Sequence, residues 1–439
     1  MKFHILTWGC QMNDHDTEKM SGLLINSGLS TTDSVEDADI VLLNTCSIRE
    51  KAAHKVFSEL GRINEIKATR IEHPMFIGVT GCLAQQEKEK IFKRAPFVDF
   101  VLGTMALKQL PKIVAEVASG NGKVKVTETN FFPDNHLFPA KSIHRECKAK
   151  ALVTIIEGCN HNCTYCVVPT TRGKERHRPV SDILAEVKSL VDTGFYEVEL
   201  LGQNVNSYSG GCNFAELLCK IADIDGLEWI RFTTSHPMNF TQELAHALIT
   251  IPKVAPFLHL PIQSGSDRVL RRMGRGYTAQ EYVERIGYLG EGRNNMCLST
   301  DFIVGFPGEN EEDFEATMTI MELLKFDASF SFIYSPRPET PALRLADDLH
   351  ENIKHERLAR LQARQTELTL QSHLREVGKI VPVRIESHTP SEQGHWLART
   401  AQWRNVHIEN AKDRQLPFGR LVDVKIIGAG PHWLRGEVA

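Results

Sequence analysis

Leu152-Val153-Thr154-Ile155-Ile156-Glu157-Gly158-Cys159-Asn160-His161-Asn162-Cys163-Thr164-Tyr165-Cys166 is the stretch on which the reading of the fold turns. Leu152–Ile156 has the composition of a buried strand, and the loop after it carries cysteines in a CxxxCxxC pattern. Three thiolates this close can wrap one corner of a four-iron cluster and leave one iron without a protein ligand. Zinc sites usually pair two CxxC knuckles or add histidines to reach four ligands. His161 is available as a fourth ligand, but no second knuckle follows, so the cluster is the better reading.

Working outward toward the C-terminus, Glu197–Leu201, Trp229–Thr233, Phe257–Leu260, Leu298–Val304 and Ala328–Phe332 repeat the strand pattern. Helical patterns such as Ser181–Thr193 and Glu311–Leu324 lie between them. Six strand–helix units make most of a barrel but fall short of eight. Leu349–Val377 reads as a long polar helix, and beyond Gly378 the chain turns to short strands: Lys379–Ile385, Trp396–Arg399, Asn405–Ile408, Leu421–Ile427 and Trp433–Glu437. Short strands separated by Gly and Pro suggest a small β-barrel of the OB type.

Toward the N-terminus, an apolar run followed by a cysteine recurs. Phe3–Trp8 precedes Cys10, Asp39–Asn44 precedes Cys46 and Met75–Thr80 precedes Cys82, so successive cysteines are spaced 36 positions apart. A strand, a crossover helix and its loops need about thirty residues, and Thr17–Ser27 and Ile48–Lys67 supply the helices. With Phe97–Leu102 as a further strand, this is an α/β domain on a parallel sheet. Ligands in such sheets gather beyond the carboxyl ends of the strands, so the fold brings Cys10, Cys46 and Cys82 together as a second candidate cluster site with an open iron. Gly120–Lys150 reads as a linker. Cys147, Cys212, Cys219 and Cys297 read as structural.

Composition sets limits on function. With 42% hydrophobic and 24% charged residues the 439-residue chain has an ordinary globular balance and suits several domains. No apolar run is long enough to cross a membrane, and Met1–Thr7 already reads as a strand rather than a signal peptide, so the cytoplasm is expected. Ten cysteines in a reducing compartment point to metal or redox work rather than disulfides. A net charge of −4 excludes a generally basic nucleic-acid binder, so RNA contact must rest on local basic groups.

The two cysteine triads and the terminal barrel together resemble the methylthiotransferases of the radical S-adenosylmethionine superfamily, over almost the whole chain. Trp8–Asn13, Asn44–Ala52 and Thr80-Gly81-Cys82 are similar to the family's three N-terminal cluster motifs. Gly158–Cys166 with Val167-Val168-Pro169 and Thr171-Arg172-Gly173 is similar to its radical motif. Ser47-Ile48-Arg49-Glu50-Lys51 resembles the tRNA-modifying branch rather than the branch that modifies a ribosomal protein. The last barrel resembles a TRAM domain. Thr170 and Ala398 depart from the usual pattern, where an aromatic and a glycine are common. The domains expected are 1–120 for the α/β methylthiotransferase domain, 145–371 for the partial (β/α)6 radical barrel, and 372–439 for the TRAM barrel.

The resemblance implies two 4Fe–4S clusters, held by Cys10, Cys46 and Cys82 and by Cys159, Cys163 and Cys166, with no acid–base catalyst beyond these ligands. It implies S-adenosylmethionine as co-substrate, two molecules per turnover, one of them a source of the 5′-deoxyadenosyl radical. Tyr165, Gly202, Gln203, Asn204, Gln263, Ser264, Asp301 and Gly305 are the residues expected at its pocket. The implied substrate is tRNA with a prenylated adenosine beside the anticodon, and the implied electron donor is of the flavodoxin or ferredoxin type. A monomer is expected. Arg172, Lys174, Arg176 and Arg178 after the radical loop are candidate RNA contacts. So are Arg399, Arg404, Arg414, Arg420 and Arg435 with Trp396, Trp403 and Trp433 in the barrel, although solvated charges and core tryptophans read equally well. The rivals are a methylthiotransferase for a ribosomal-protein aspartate, and a non-catalytic iron–sulfur protein that binds RNA or senses redox state.

Overall fold

The computed structural model describes residues 1–46, 50–70, 73–120, 125–130, 143–145, 149–388, 396–409 and 415–439. Ser47-Ile48-Arg49, Cys147, Arg414 and most of the expected linker lie outside the described residues. The chain forms two compact units: Met1–Glu146 with Glu157–Asn160 and Val167–Glu175, and Cys147–Ile156 with His161–Cys166 and Arg176–Ala439.

The first unit is built on β1 (Lys2–Trp8), β2 (Ser30–Thr31), β3 (Ile40–Thr45), β4 (Phe76–Thr80), β5 (Phe100–Leu102) and β6 (Val126–Glu128). All pairings are parallel and the spatial order is β2-β1-β3-β4-β5-β6. Ile40-Val41-Leu42-Leu43 in the centre is fully buried, as a strand covered on both faces must be. On one face Val41, Leu43 and Val79 pack with Val56, Leu60 and Ile63 of α2 (Glu50–Thr69). On the other, Leu42 and Phe100 pack with Met20 and Leu24 of α1 (Gln11–Asn26).

Two features differ from the sequence reading. Helix α1 starts at Gln11, directly after Cys10, instead of at Thr17. Its polar first turn hides the start from a hydrophobic-period reading, while Cys10 as N-cap and Asn13 close a capping box there. The stretch read as a linker contributes β6, three half-buried residues at the sheet edge, too short to give a periodic signal.

The second unit opens with β7 (Ala151–Thr154), and two short strands follow, β8 (Ile156–Glu157) and β9 (Arg176–His177). Then come β10 (Glu197–Leu201), β11 (Trp229–Phe232), β12 (Phe257–His259), β13 (Cys297–Val304) and β14 (Ala328–Ile333). The ladders β7-β10-β11 and β12-β13-β14 are parallel throughout, and a parallel bridge between Ile230 and Val254 leads from one to the other. This is the six-unit partial barrel. Helices Val180–Asp192, Phe214–Ala222 and Glu311–Leu324 cover it, their apolar residues packed on Val198, Leu200, Ile230 and Phe302.

Helix Glu351–Leu374 leads to β15 (Ile380–His388), β16 (Trp396–Thr400), β17 (Asn405–Ile408), β18 (Leu421–Gly430) and β19 (Trp433–Val438), a closed barrel in the order β15-β16-β17-β19-β18. The two barrels join through buried charge. Glu197 at the start of β10 accepts from Arg231 at 2.6 Å and from Arg384 of β15 at 2.7 Å. Arg231 also donates to the carbonyls of Thr400 and Ala401. Charges taken out of water need partners of this kind, and one glutamate serves both arginines.

Candidate functional site

Cys10, Cys46 and Cys82 follow the carboxyl ends of β1, β3 and β4, which are neighbours in the sheet. Cys46 and Cys82 are buried and Cys10 is exposed. Glycines let the three loops meet. A Cβ on Gly9 would lie 3.0 Å from the Cys46 Cβ, and one on Gly81 (φ +84°) would lie 2.7 Å from the Thr45 carbonyl oxygen. Beneath them Asn44 donates to the Asn13 carbonyl at 2.8 Å, and Asn13 donates to Asn44 Oδ1 at 3.2 Å. These asparagines, conspicuous in the sequence beside Cys10 and Cys46, tie the first two loops together.

The thiols feel one another and one cation. The Cys10 thiol is pulled down to about 6 by its hydrogen bond with Cys46 and by the charge of Arg172, against the effect of burial. The buried Cys82 thiol is pushed up by desolvation, which Arg172 opposes. Arg172 is itself buried and donates to Asp16 at 2.7 Å. Lys19 stands 3.6 Å from the same carboxylate and 3.3 Å from Glu157. Arg172 was grouped with RNA-contacting residues on sequence; its place is a buried ion network beside the cysteines, which a charge count along the chain could not reveal.

In the loop of the second triad, Cys163 is buried and Cys159 and Cys166 are half-buried. Gly158 (φ +82°) passes so close to the Lys174 carbonyl that a Cβ would lie 2.1 Å from it. The Cys166 N–H donates to the Cys163 carbonyl, and Thr164 is held by the carbonyls of Met273 and Arg272. His161 takes no place among the thiols: its Nε2 pairs with Asn239 Oδ1 at 2.9 Å and its ring stacks on His236 at 3.7 Å. Among the described residues no three His, Cys, Asp or Glu side chains are close enough to chelate a single metal ion. A cluster with iron at separate corners suits more widely set thiolates.

Most of the residues expected at the co-substrate pocket lie beyond the carboxyl ends of barrel strands, while Asp301 lies within β13 and Tyr165 in the cysteine loop. Gly202, Gln203 and Asn204 follow β10, and Asn204 donates to Asn239. Gln263 adopts φ +77°, rare for a residue with a side chain, and its N–H donates to the Asp301 carbonyl. Such strained positions concentrate at functional sites. Asp301 lies 3.5 Å from His259 Nε2. Tyr165 meets Arg275 and packs beside Phe306 and Tyr334. Ser264 and Gly305 are occupied internally: the Ser264 hydroxyl accepts from the Ser266 N–H and pairs with Thr317, and the Gly305 N–H donates to Glu309.

Sequence reasoning missed two residues here, Arg275 and His236. Burial, with the nearby Arg275 charge, drives His236 far down, so it is neutral. Since its Nδ1 accepts from the Met238 N–H, its proton sits on Nε2, which has no hydrogen-bond partner. The glycines around Arg275 were the available signal.

Several basic residues named for RNA are used inside the protein. Arg178 pairs with Glu186, Arg404 with Glu376, and Trp403 packs against Phe257 with Lys150 over its ring. Arg420, Trp433 and Arg435 remain exposed on the terminal barrel.

Comparison with known proteins agrees with this layout. Residues 2–103 match Uncharacterized protein family UPF0004, 153–321 the Radical SAM superfamily and 374–439 the TRAM domain. Among solved structures, the radical S-adenosylmethionine methyltransferase TsrM from Kitasatospora setae superposes with a TM-score of 0.57 at 13% identity, over 78% of this chain and 74% of that one. The cobalamin-dependent radical enzyme OxsB gives 0.53 at 14% identity, over 84% and 62%. At such identities the likeness is one of fold. A tRNA-2-methylthio-N(6)-dimethylallyladenosine synthase from Burkholderia thailandensis is 46% identical over all of this chain and 97% of its own length. The protein of that name from Actinobacillus pleuropneumoniae serotype 5b is 47% identical over all of this chain and 92% of its own length. The chain therefore belongs to the tRNA-2-methylthio-N(6)-dimethylallyladenosine synthase family.

Proposed function

We propose that this chain transfers a methylthio group to C2 of N6-isopentenyladenosine at position 37 of tRNA. It would use one 4Fe–4S cluster on Cys159, Cys163 and Cys166 and a second on Cys10, Cys46 and Cys82. The observation that carries the reading is two groups of three cysteines, one after adjacent strands β1, β3 and β4 and one in a single loop; a four-iron cluster on either would keep one iron without a protein ligand. When bound, the first cluster with S-adenosylmethionine supplies a radical able to take hydrogen from an unactivated C–H bond, and the second supplies sulfur.

The chain's own residues hold and shield these groups. The six thiolates are ligands; Arg172 and Arg275 put positive charge beside sulfur. His236 is neutral and cannot act as an acid. Gly202, Gln203, Asn204 and Gln263 follow strand ends, where barrel enzymes bind their small molecules, and Asp301 lies in the last half of β13. Tyr165 borders the same loop, while Ser264 and Gly305 act through the backbone around it. Exposed Trp433 and Arg435, adjacent on β19, offer RNA a stacking and cationic contact, and exposed Arg420 lies before the other end of β18. The electron comes from a flavodoxin- or ferredoxin-type donor, and the chain works as a cytoplasmic monomer with domains at 1–120, 145–371 and 372–439. Among the described residues no helix is long and apolar enough to cross a membrane.

The test is anaerobic reconstitution with iron, sulfide and reductant, followed by S-adenosylmethionine and tRNA carrying the prenylated adenosine. Release of 5′-deoxyadenosine and a methylthio mass increment on that nucleoside are expected. Modification of a ribosomal-protein aspartate instead, or no 5′-deoxyadenosine at all, would overturn the reading.

A further inference from the structure

Arg275 is among the most completely held side chains in the second unit. It is 4% exposed. Its Nη1 donates to Cys163 Sγ and to the Tyr165 hydroxyl, both at 3.3 Å; its Nη2 donates to the Pro261 carbonyl at 2.8 Å; its Nε donates to the Tyr277 hydroxyl at 2.9 Å. Tyr277 is anchored in turn on the Ile262 carbonyl at 2.9 Å. The flanking glycines fit the backbone to this task. Gly274 (φ +69°) passes so close to the cysteine loop that a Cβ would lie 2.8 Å from the Asn162 carbonyl, and Gly276 (φ +72°) would meet Met238 Sδ at 2.8 Å. Residues 273–277 thus form a bracket under the loop, with a guanidinium fixed against one sulfur.

We propose that Arg275 is a positioning residue that sets the reduction potential of the cluster on Cys159, Cys163 and Cys166 through its hydrogen bond to Cys163 Sγ. The assignment rests on the reading of those cysteines as cluster ligands. Hydrogen bonds to the sulfurs and net charge are main determinants of such potentials. A guanidinium keeps its charge at any working pH. One electron added to the cluster makes it more negative, and a fixed cation in a dry site stabilises that state most. With four of its five N–H donors engaged, Arg275 has little freedom to follow the charge. Its field is built in before the electron arrives.

The test follows the potential in the full-length, anaerobically reconstituted chain, with dithionite as electron source and redox mediators present. The reduced paramagnetic signal to follow is the one absent when Cys159, Cys163 and Cys166 are all changed to alanine. Arg275→Gln should weaken the reduced state tenfold or more, a negative shift of ~59 mV or beyond for one electron. Arg275→Lys, which keeps charge but loses the fork, should shift the same way by less. Tyr277→Phe, which leaves the guanidinium but removes its Nε acceptor, should shift least. An unchanged midpoint in Arg275→Gln at full iron content would overturn the proposal. Should that variant lose iron, unchanged midpoints in Arg275→Lys and Tyr277→Phe would overturn it equally. If every wild-type signal survived the loss of all three cysteines, the site reading would fall, and this assignment with it.

Discussion

Cys159, Cys163 and Cys166 lie in one short loop, whereas Cys10, Cys46 and Cys82 come from three loops that meet because β1, β3 and β4 are adjacent in the sheet. The first triad is a product of local chain; the second is a product of tertiary structure. The buried arginines differ accordingly. Arg275 is held by carbonyl and hydroxyl oxygens against the Cys163 sulfur, while Arg172 is anchored on the Asp16 carboxylate and acts by charge on Cys10 and by charge and a hydrogen bond on Cys82. A site assembled from separate segments needs the sheet and its close loop contacts intact, so it should be the more sensitive to remote change.

The largest effect expected comes from separating the two triads chemically. Cys163→Ala should abolish both 5′-deoxyadenosine formation and methylthiolation. Cys82→Ala should abolish methylthiolation but leave 5′-deoxyadenosine formation measurable by liquid chromatography. Equal loss of both products in the two variants would erase the division of labour.

Next in size is the ion network beside Cys10, Cys46 and Cys82. Arg172→Ala leaves Asp16 buried with Lys19, at 3.6 Å, as its one ion-pair partner among the described residues. Breaking a buried pair from one side costs about 3–5 kcal/mol, to be read as a lower urea midpoint of the apoprotein. A solvated Arg172, as the sequence grouping had it, would cost about 1 kcal/mol or less.

A smaller, sharper contrast uses two glycines that share a left-handed backbone. Gly28 (φ +86°) has open space where a Cβ would go, and Gly81 (φ +84°) has the Thr45 backbone. Gly28→Ala should cost only the conformational strain, about 1 kcal/mol. Gly81→Ala should cost more and also lower iron retention at Cys10, Cys46 and Cys82. Equal costs with full iron in both would mean that the loops do not need their close approach.

How much was legible follows the same division. The CxxxCxxC loop could be read directly because its geometry is local, and the strands bearing the second triad could be read because β3 and β4 are continuous apolar runs. The equal spacing of Cys10, Cys46 and Cys82 carried the topology with it. Arg172, Arg275 and His236 could not be placed, since a charged or polar residue in a loop has the same letter whether buried or solvated. The same ambiguity hid Arg231 and Arg384, which share Glu197 between the barrels. Ser264 looked like a ligand-facing hydroxyl because nothing in the sequence announces Thr317 beside it.

The smallest effect concerns the apoprotein, where the thiols of Cys10 and Cys82 should part company with pH. Cys10 is lowered from 9.0 to about 6, first by its bond with Cys46 and then by Arg172 and the backbone around Asn13 and Met12. Cys82 moves upward because burial penalises its thiolate. At pH 7 Cys10 is thus an exposed thiolate, and Cys82 a buried thiol. The folded value of Cys10 lies below its unfolded one, so its contribution to stability is complete above about pH 9 and is lost as pH falls through about 6. Brief iodoacetamide pulses followed by peptide mass spectrometry should label Cys10 well before Cys82, with a rate that halves near pH 6. Arg172→Gln should move that midpoint upward. A Cys10 midpoint above pH 8 would mean that neither Cys46 nor Arg172 acts on it, and the loops would not converge as the sheet order requires.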